Sequence, residues 1–340
     1  MLVNGTKEWF AQDAFTFLAA RNMVEQELIQ LGYDFFYSGI LSKKSIYEQN
    51  IPILGESFRD IIFELGNGKE STIISPEGTF RVYEYLDRSG LLDRREGKVF
   101  YSQEFLRNET EDSVRQGKTI SFWQIGYEIF GLSEKELSLT ALLTLINCLS
   151  LFDIDRMKVR IADKRILGGI VSDLPQKEIR SIYSLIDTCQ EDGEEFYSRY
   201  IKMGGNKEIA LKIYTLFSKS NSNELSFEVL HEITGNHISN TGISYLKDIY
   251  RNVIKQNKNF RVEIVPYIAK TWDAYTTLLF DAWIDDYMYA IAGGGNLSTF
   301  YGEKDILKCG AGIGLTRIVE YMIKHCKLIH NKMKLEQISN

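Results

Sequence analysis

"GKVFYSQEFLRNETEDSVRQGKTISFWQIGYEIFG", residues 97–131, carries two runs of alternating aromatic, aliphatic and polar residues around a charged stretch of about ten residues. Alternation at period two describes a strand with one buried face, and two such runs about a polar loop describe a long antiparallel hairpin. On the second run the period sends Gln124, Gly126 and Glu128 to one face and Trp123, Ile125 and Tyr127 to the other. A glycine between two polar side chains leaves room for a ligand.

Around the hairpin the pattern alternates between helix and strand. Residues 11–32 have apolar positions at helical spacing and stop at a glycine. "DIIFELGNGKESTIIS" reads as two strands joined by the turn "GNGK", and residues 80–90 as a helix with a glycine stop. After Gly131 come the helix "SEKELSLTALLTLINCLSLF" and the strand-to-helix segment "MKVRIADKRILGGIV". Residues 173–258 are rich in Lys, Glu, Asn and Ser, with helical periodicity and no strand signal, and read as a peripheral helical insertion. Strands resume at "FRVEIVPYIAKTWDAYTTLLFDAWIDD" and end in "GAGIGLTRIVEYMIKHC", a glycine-rich strand end entering a helix. The expected class is α+β, an antiparallel sheet flanked by helices. The expected organisation is a core of residues 1–172 and 259–330, an insertion of 173–258 and a short tail of 331–340.

The 340 residues are 44% apolar and 25% charged, ordinary for a globular protein, and the net charge of -6 argues against nucleic-acid binding by bulk electrostatics. Four scattered cysteines without a CxxC pair suggest neither a zinc site nor a disulfide framework. His231, His237, His325 and His330 lack the spacing of metal ligands. No signal peptide or spanning segment is evident, so a cytoplasmic protein is expected, with no membrane partner.

Four clusters carry possible chemistry. In "SPEGTFRVYEYL", Pro76 and Gly78 shape a turn that presents Glu77 and Thr79; taken alone it is a turn before a helix. Arg107, beside Glu109, offers a rigid fork of donors suited to an α-phosphate, although a cross-strand ion pair has the same composition. Lys270 and Asp273 precede Tyr275 in what a buried strand also explains. In "GAGIGLTRIVEYMI", Arg317 lies just inside a helix, from where it could point back toward the face of Arg107. Two arginines from distant sequence converging on one place suit a polyphosphate.

Taken in order, "NGTKEWF", "SPEGT", "FLRNE…FWQIGYEIFG", "MKVRIADKRILGGIV", "AKTWDAYTTLLFDAW", "AIAGGG" and "GAGIGLTRIVEYM" resemble the successive blocks of the histidyl-tRNA synthetase catalytic core, from about residue 4 to about residue 325. The resemblance implies a class II synthetase core, a homodimer, and ATP held bent with Mg2+. It implies Arg107 on the α-phosphate with Glu109 nearby, and Arg317 on the γ-phosphate. Glu77 and Thr79 would meet the amino group of an amino acid, Gln124 its carboxylate, and Glu128 with Tyr275 its side chain.

Departures accompany the resemblance. The family's catalytic arginine aligns with Lys270, which keeps the charge and loses the fork. Ala274 replaces the first tyrosine of "DYY" and is expected to reshape the side-chain pocket; Lys118 is the nearest cation where the loop arginine of "GRYRQ" is expected; "GGRYD" has become "GGGNLS". No stretch resembles the anticodon-binding domain, so tRNA is not the expected acceptor. The leading expectation is an enzyme that activates histidine or a related amino acid with ATP, using Arg107, Lys270 and Arg317, for a carrier protein or another acceptor. The alternative is a non-catalytic regulator that senses histidine, resembling the ATP phosphoribosyltransferase regulatory subunit and partnered by the catalytic subunit.

Overall fold

The computed structural model describes residues 3–65, 71–93, 96–189, 192–221, 225–257, 259–269, 273–298 and 306–329. Lys270, the "GNGK" turn, His330 and the 331–340 tail lie outside them. In chain order the first half contains α1 (Ala11–Gln30), β1 (Asp34–Phe35), β2 (Leu41–Lys43), α2 (Lys44–Glu48), α3 (Ile51–Leu54), β3 (Phe63–Leu65), β4 (Thr72–Ile74) and α4 (Thr79–Arg88). Then follow β5 (Gly97–Leu106), α5 (Glu111–Arg115), β6 (Ser121–Phe130), α6 (Glu134–Ser150), β7 (Met157–Asp163) and α7 (Lys164–Ile170). The helices α8 (Gln176–Cys189), α9 (Gly193–Lys202), α10 (Lys207–Asn221), α11 (Phe227–Thr234) and α12 (His237–Gln256) come next. The chain continues through β8 (Arg261–Ile264), β9 (Tyr275–Ile284), β10 (Ala292–Leu297), β11 (Lys308–Gly314) and α13 (Leu315–Lys324).

Eight strands form one sheet in the order β1-β5-β6-β11-β10-β9-β7-β8, and β2-β4-β3 form a small antiparallel sheet. The large sheet is antiparallel except at its two ends, where β1 runs parallel to β5 and β8 parallel to β7. The hairpin pairs along its whole length, from Gly97 opposite Phe130 to Leu106 opposite Ser121. Its loop folds into α5, with the Thr110 hydroxyl accepting from the Ser113 amide as an N-cap.

One face of the sheet is dry. Ile125, Tyr127 and Ile129 of β6 point into the main apolar cluster with Ala20, Val24 and Leu28 of α1 and Leu142 and Leu145 of α6. The i, i+4 spacing of the α1 residues is what makes that helix a stripe against the sheet. The buried Tyr127 hydroxyl donates to the Ala141 carbonyl at 2.6 Å, satisfying a polar group the core would otherwise strand. Helix α6 starts at a capping box, Ser133 with Glu136.

The insertion is not peripheral. Ile182, Phe196, Ile213, Leu230 and Leu246 of its helices belong to the same main apolar cluster as the sheet. The Ser239 hydroxyl of α12 donates to the Ile166 carbonyl of α7 at 2.8 Å. Polar and charged residues together outnumber apolar ones in the segment, but each helix keeps an inward apolar stripe. Among the described residues, no helix is long and apolar enough to cross a membrane.

Candidate active site

The other face of the sheet is wet. A cavity of about 500 Å³ opens above β6, β11, β10 and β9, walled by Glu77, Thr79, Arg107, Glu109, Gln124, Glu128, Tyr275 and Arg317. Every site residue expected from the sequence, apart from Lys270, therefore faces one space. The register explains the floor: Gln124, Gly126 and Glu128 stand opposite Gly314, Gly312 and Gly310 on β11. A Cβ at Gly310 would overlap the Glu128 carboxylate and approach the Tyr127 carbonyl to 2.5 Å. A Cβ at Gly126 would overlap the Tyr101 ring, whose hydroxyl accepts from Gln124 Nε2 at 2.9 Å. Glycine on one strand is thus what lets a carboxylate and an amide fit on the next.

The turn before α4 supplies one wall. Glu77, 3% exposed, accepts from the Thr79 amide at 2.6 Å and the Phe80 amide at 3.3 Å. Burial pushes its carboxyl up to about 7, against the pull of those two amides and the Arg107 charge. The Thr79 hydroxyl donates to Glu128 Oε1 at 2.8 Å, tying the turn to the sheet. Glu128 is 1% exposed, and burial, with a contribution from the Glu77 charge, raises its carboxyl to about 8. Tyr275 closes this end, its phenol pushed up by burial.

The opposite end is cationic. Arg107 follows the end of β5, and its amide donates to the Ile120 carbonyl across the hairpin neck at 2.8 Å. Its Nε donates to the Pro76 carbonyl at 3.0 Å, and its guanidinium carbon lies 4.9 Å from the centre of the Phe122 ring. Arg317, in the first turn of α13, donates to the Ala290 carbonyl at 2.6 Å, and its guanidinium carbon lies 5.0 Å from the Tyr289 ring centre. The two guanidinium groups sense each other: burial lowers the Arg107 pKa first, and repulsion from Arg317 adds to it against the attraction of Glu77 and Glu109. Lys118 from the hairpin loop pairs with Glu109 at 3.2 Å at the cavity rim. Fixed cations over an aromatic ring and a glycine floor form a cradle for a phosphorylated, planar ligand.

Among the described residues, no group of three or more His, Cys, Asp or Glu side chains is placed to hold a metal ion.

Ala274 is not on the cavity wall. It is 1% exposed in the second apolar cluster, so the missing tyrosine does not open the pocket directly. Sequence reasoning also missed Asp187, which α8 brings to the cavity wall, and Phe122, under Arg107. Asp187 had no signal in a segment of uniform polar texture; Phe122 had one, two residues before Gln124 on the same face. A second cavity of about 360 Å³ shares Asp187 and Ala290 with the first. Its base is a buried ion pair, Arg160 to Asp281 at 2.8 and 2.9 Å, with Arg160 4.6 Å from the Trp283 ring centre.

Residues 67–316 match the family described as histidyl-tRNA synthetase. The chain belongs to that family. Over 219 residues it is 27% identical to the histidine–tRNA ligase of Pyrobaculum aerophilum, covering 62% of this chain and 50% of that protein. The chain spans about half the length of the curated relatives it matches. Its fold is that of a structure from Bacillus halodurans described as an ATP phosphoribosyltransferase regulatory subunit/histidyl-tRNA synthetase, at a TM-score of 0.77 and 14% identity over 93% of this chain and 81% of that one. The ATP phosphoribosyl transferase (HisG:HisZ) complex from Thermotoga maritima contains a similar chain, at a TM-score of 0.64 and 17% identity over 88% of this chain and 98% of that one. Class II synthetase architecture, an α+β fold on a large sheet flanked by helices, is thus established for this family member.

Proposed function

We propose that this chain binds ATP and an amino acid, histidine or a relative, in the cavity above the sheet and joins them as an aminoacyl-adenylate. The observation that carries the reading is the meeting of Arg107 and Arg317, 210 positions apart in sequence, over one glycine-floored cavity whose far end is lined by Glu77, Gln124 and Glu128. In the reaction the amino-acid carboxylate oxygen bonds to the α-phosphorus, the bond between that phosphorus and the bridging oxygen breaks, and pyrophosphate leaves. Both reactants are anionic, so the protein must neutralise charge and hold the attacking oxygen in line.

Arg107 is suited to the α-phosphate and Arg317 to the outer phosphates, with Phe122 beneath the base. Glu77, once ionised, accepts from the ammonium of the amino acid, with Thr79 beside it. Gln124 orients the carboxylate, and Glu128 with Tyr275 faces the side chain. Mg2+, if carried in on the phosphates, would supply charge screening for the leaving pyrophosphate. Lys270 is proposed as the further cation of the reaction.

The exposed edge of β1 supports assembly with a second copy: Phe35 is 55% and Tyr37 76% exposed, and Leu41 of the adjacent small sheet is 50% exposed. Sedimentation as a monomer at micromolar concentration would remove the dimer from the proposal. Amino-acid-dependent exchange of labelled pyrophosphate into ATP tests the chemistry, and its absence across the common amino acids refutes adenylation. A second reading, a regulatory subunit without catalysis, is favoured by the fit to the Thermotoga maritima complex over 98% of its chain and by the lysine at position 270. Stimulation of a short-form ATP phosphoribosyltransferase on mixing would establish it.

A further inference from the structure

The small sheet stands outside the cavity, yet together with α2 it grips the turn that carries Glu77. Tyr47 of α2 is fully buried, its ring centre 5.9 Å from that of Phe58 and 6.1 Å from that of Phe80. Its hydroxyl donates to the Glu77 main-chain carbonyl at 3.1 Å. On the neighbouring peptide Arg107 Nε donates to the Pro76 carbonyl, so side chains from two separate elements hold two successive carbonyls. Behind Tyr47, the buried hydroxyls of Ser42 in β2 and of Ser75, just after β4, bond each other. Arg81 of α4 donates to Ser42 and, at 2.7 Å, to the Leu41 carbonyl, while the Ser75 amide donates to the Ile40 carbonyl at 2.9 Å. None of Ser42, Tyr47, Ser75 and Arg81 lines the cavity.

A buried phenol and two buried hydroxyls cost stability unless they are bonded, and a satisfied polar network fixes one geometry for whatever it touches. Here it touches the backbone of the residue whose carboxylate accepts from the Thr79 and Phe80 amides. Burial and the Glu77 charge push the Tyr47 phenol well above its ordinary value, against the Ser75 hydroxyl, the Arg81 charge and the Ser42 hydroxyl. The phenol therefore keeps its proton and donates across the neutral range. Tyr101 of β5, Arg107 just beyond it, Glu128 of β6 and Tyr275 of β9 also act on or feel the Glu77 charge. Removing the Tyr47 hydroxyl leaves all four in place and frees the turn. The Glu77 carboxyl can then swing toward water, which lowers its pKa from about 7 and costs it its direction.

We infer that Tyr47, backed by Ser42 and Ser75, is a positioning residue that holds Glu77 in the orientation that receives the ammonium of the amino acid. The inference rests on the amino-acid-binding reading above. Isothermal titration of the full chain with ATP present, at pH 6, 7 and 8, tests it in the wild type, Tyr47→Phe and Ser75→Ala. The probe is histidine, followed by the other common amino acids if histidine does not bind. The probe's own titration cancels in the ratio of variant to wild-type affinity at each pH. Tyr47→Phe is expected to weaken binding about tenfold at pH 8, the effect of losing one buried bond on a charged group's support. At pH 6, where the wild-type Glu77 is itself largely neutral, the ratio should close to about one. ATP affinity, which Arg107 serves without Tyr47, should stay within about twofold. An equal loss at both pH values marks a merely structural role and overturns the inference, as does wild-type affinity in Tyr47→Phe at pH 8 or an ATP affinity that falls in step. Should Tyr47→Phe fail to fold, Ser75→Ala, which removes one hydroxyl behind the phenol, decides by the same pattern. Failure of the wild type to bind any common amino acid sinks the amino-acid reading and the inference with it, whereas wild-type binding with a pH-independent ratio sinks the inference alone.

Discussion

Replacing Glu128 by glutamine should change how stability depends on pH, by an amount the structure sets. The carboxyl is held near 8 against an ordinary value of 4.5, so between those values the folded protein binds about one more proton than the unfolded chain. Stability from this group is therefore fully present below the unfolded value and lost as pH rises through the folded one, at about 1.4 kcal/mol per pH unit. Between pH 5.5 and 7.5 the wild type should lose about 2.5 kcal/mol that Glu128→Gln does not. Groups remote from the cavity titrate alike in both proteins and cancel in the comparison, whereas Glu77, whose charge acts on Glu128, contributes to the difference. Urea unfolding followed by circular dichroism at pH 5.5, 6.5 and 7.5 supplies the two curves. Parallel curves would refute the claim that Glu128 is an unsolvated carboxyl under the cavity.

Other expectations come from the same coordinates. Arg107→Ala should weaken ATP binding about 10- to 100-fold, the worth of charge-assisted bonds to phosphate, in isothermal titration without loss of the melting transition. Gly310→Ala should destabilise the chain by about 1–3 kcal/mol and abolish amino-acid binding, because the new methyl collides with the Glu128 carboxylate and the Tyr127 backbone; thermal melts with and without ligand would show both. Binding of the amino acid should tighten as pH rises from 6 toward 8, since Glu77, near 7, must ionise to hold the ammonium; a flat calorimetric profile would contradict that role. Asp281→Ala removes a carboxylate partner of the buried Arg160 and should destabilise the chain by up to about 3–5 kcal/mol in chemical denaturation, whatever the cavity binds.

The hairpin of residues 97–131 was legible because its alternation is strong and one face is fully buried, which fixes the register. The polar face of β6 followed directly, and Arg107 and Arg317 could be paired only through the order of the family blocks, since no local pattern links residues so far apart. The insertion was misjudged for a different reason. Its polar and charged residues together outnumber its apolar ones, and nothing in a helix's own sequence says that Asp187 at its end will reach another element's cavity. Ala274 misled because alignment assigns position along the strand and not what the side chain packs against.

The charges lining the cavity also bear on how the proposed ligands would bind. Glu77 and Glu128 are both almost fully buried and held above their ordinary range, so the unliganded fold keeps two carboxyls in states that water would not favour. In the proposed reading an amino acid entering with its ammonium toward Glu77 would add to the attraction Arg107 already exerts there and relieve part of that penalty. In the proposed reading the phosphates of ATP would do the same for Arg107 and Arg317, which line one cavity and repel each other. Each proposed ligand would thus meet a site set against its own charge, and an analogue lacking that charge would leave the original penalty in place. Removing the ammonium from the amino acid should accordingly cost more at pH 8, where Glu77 is ionised, than at pH 6, where it is largely neutral. Equal losses at both pH values would mean that Glu77 does not receive the ammonium.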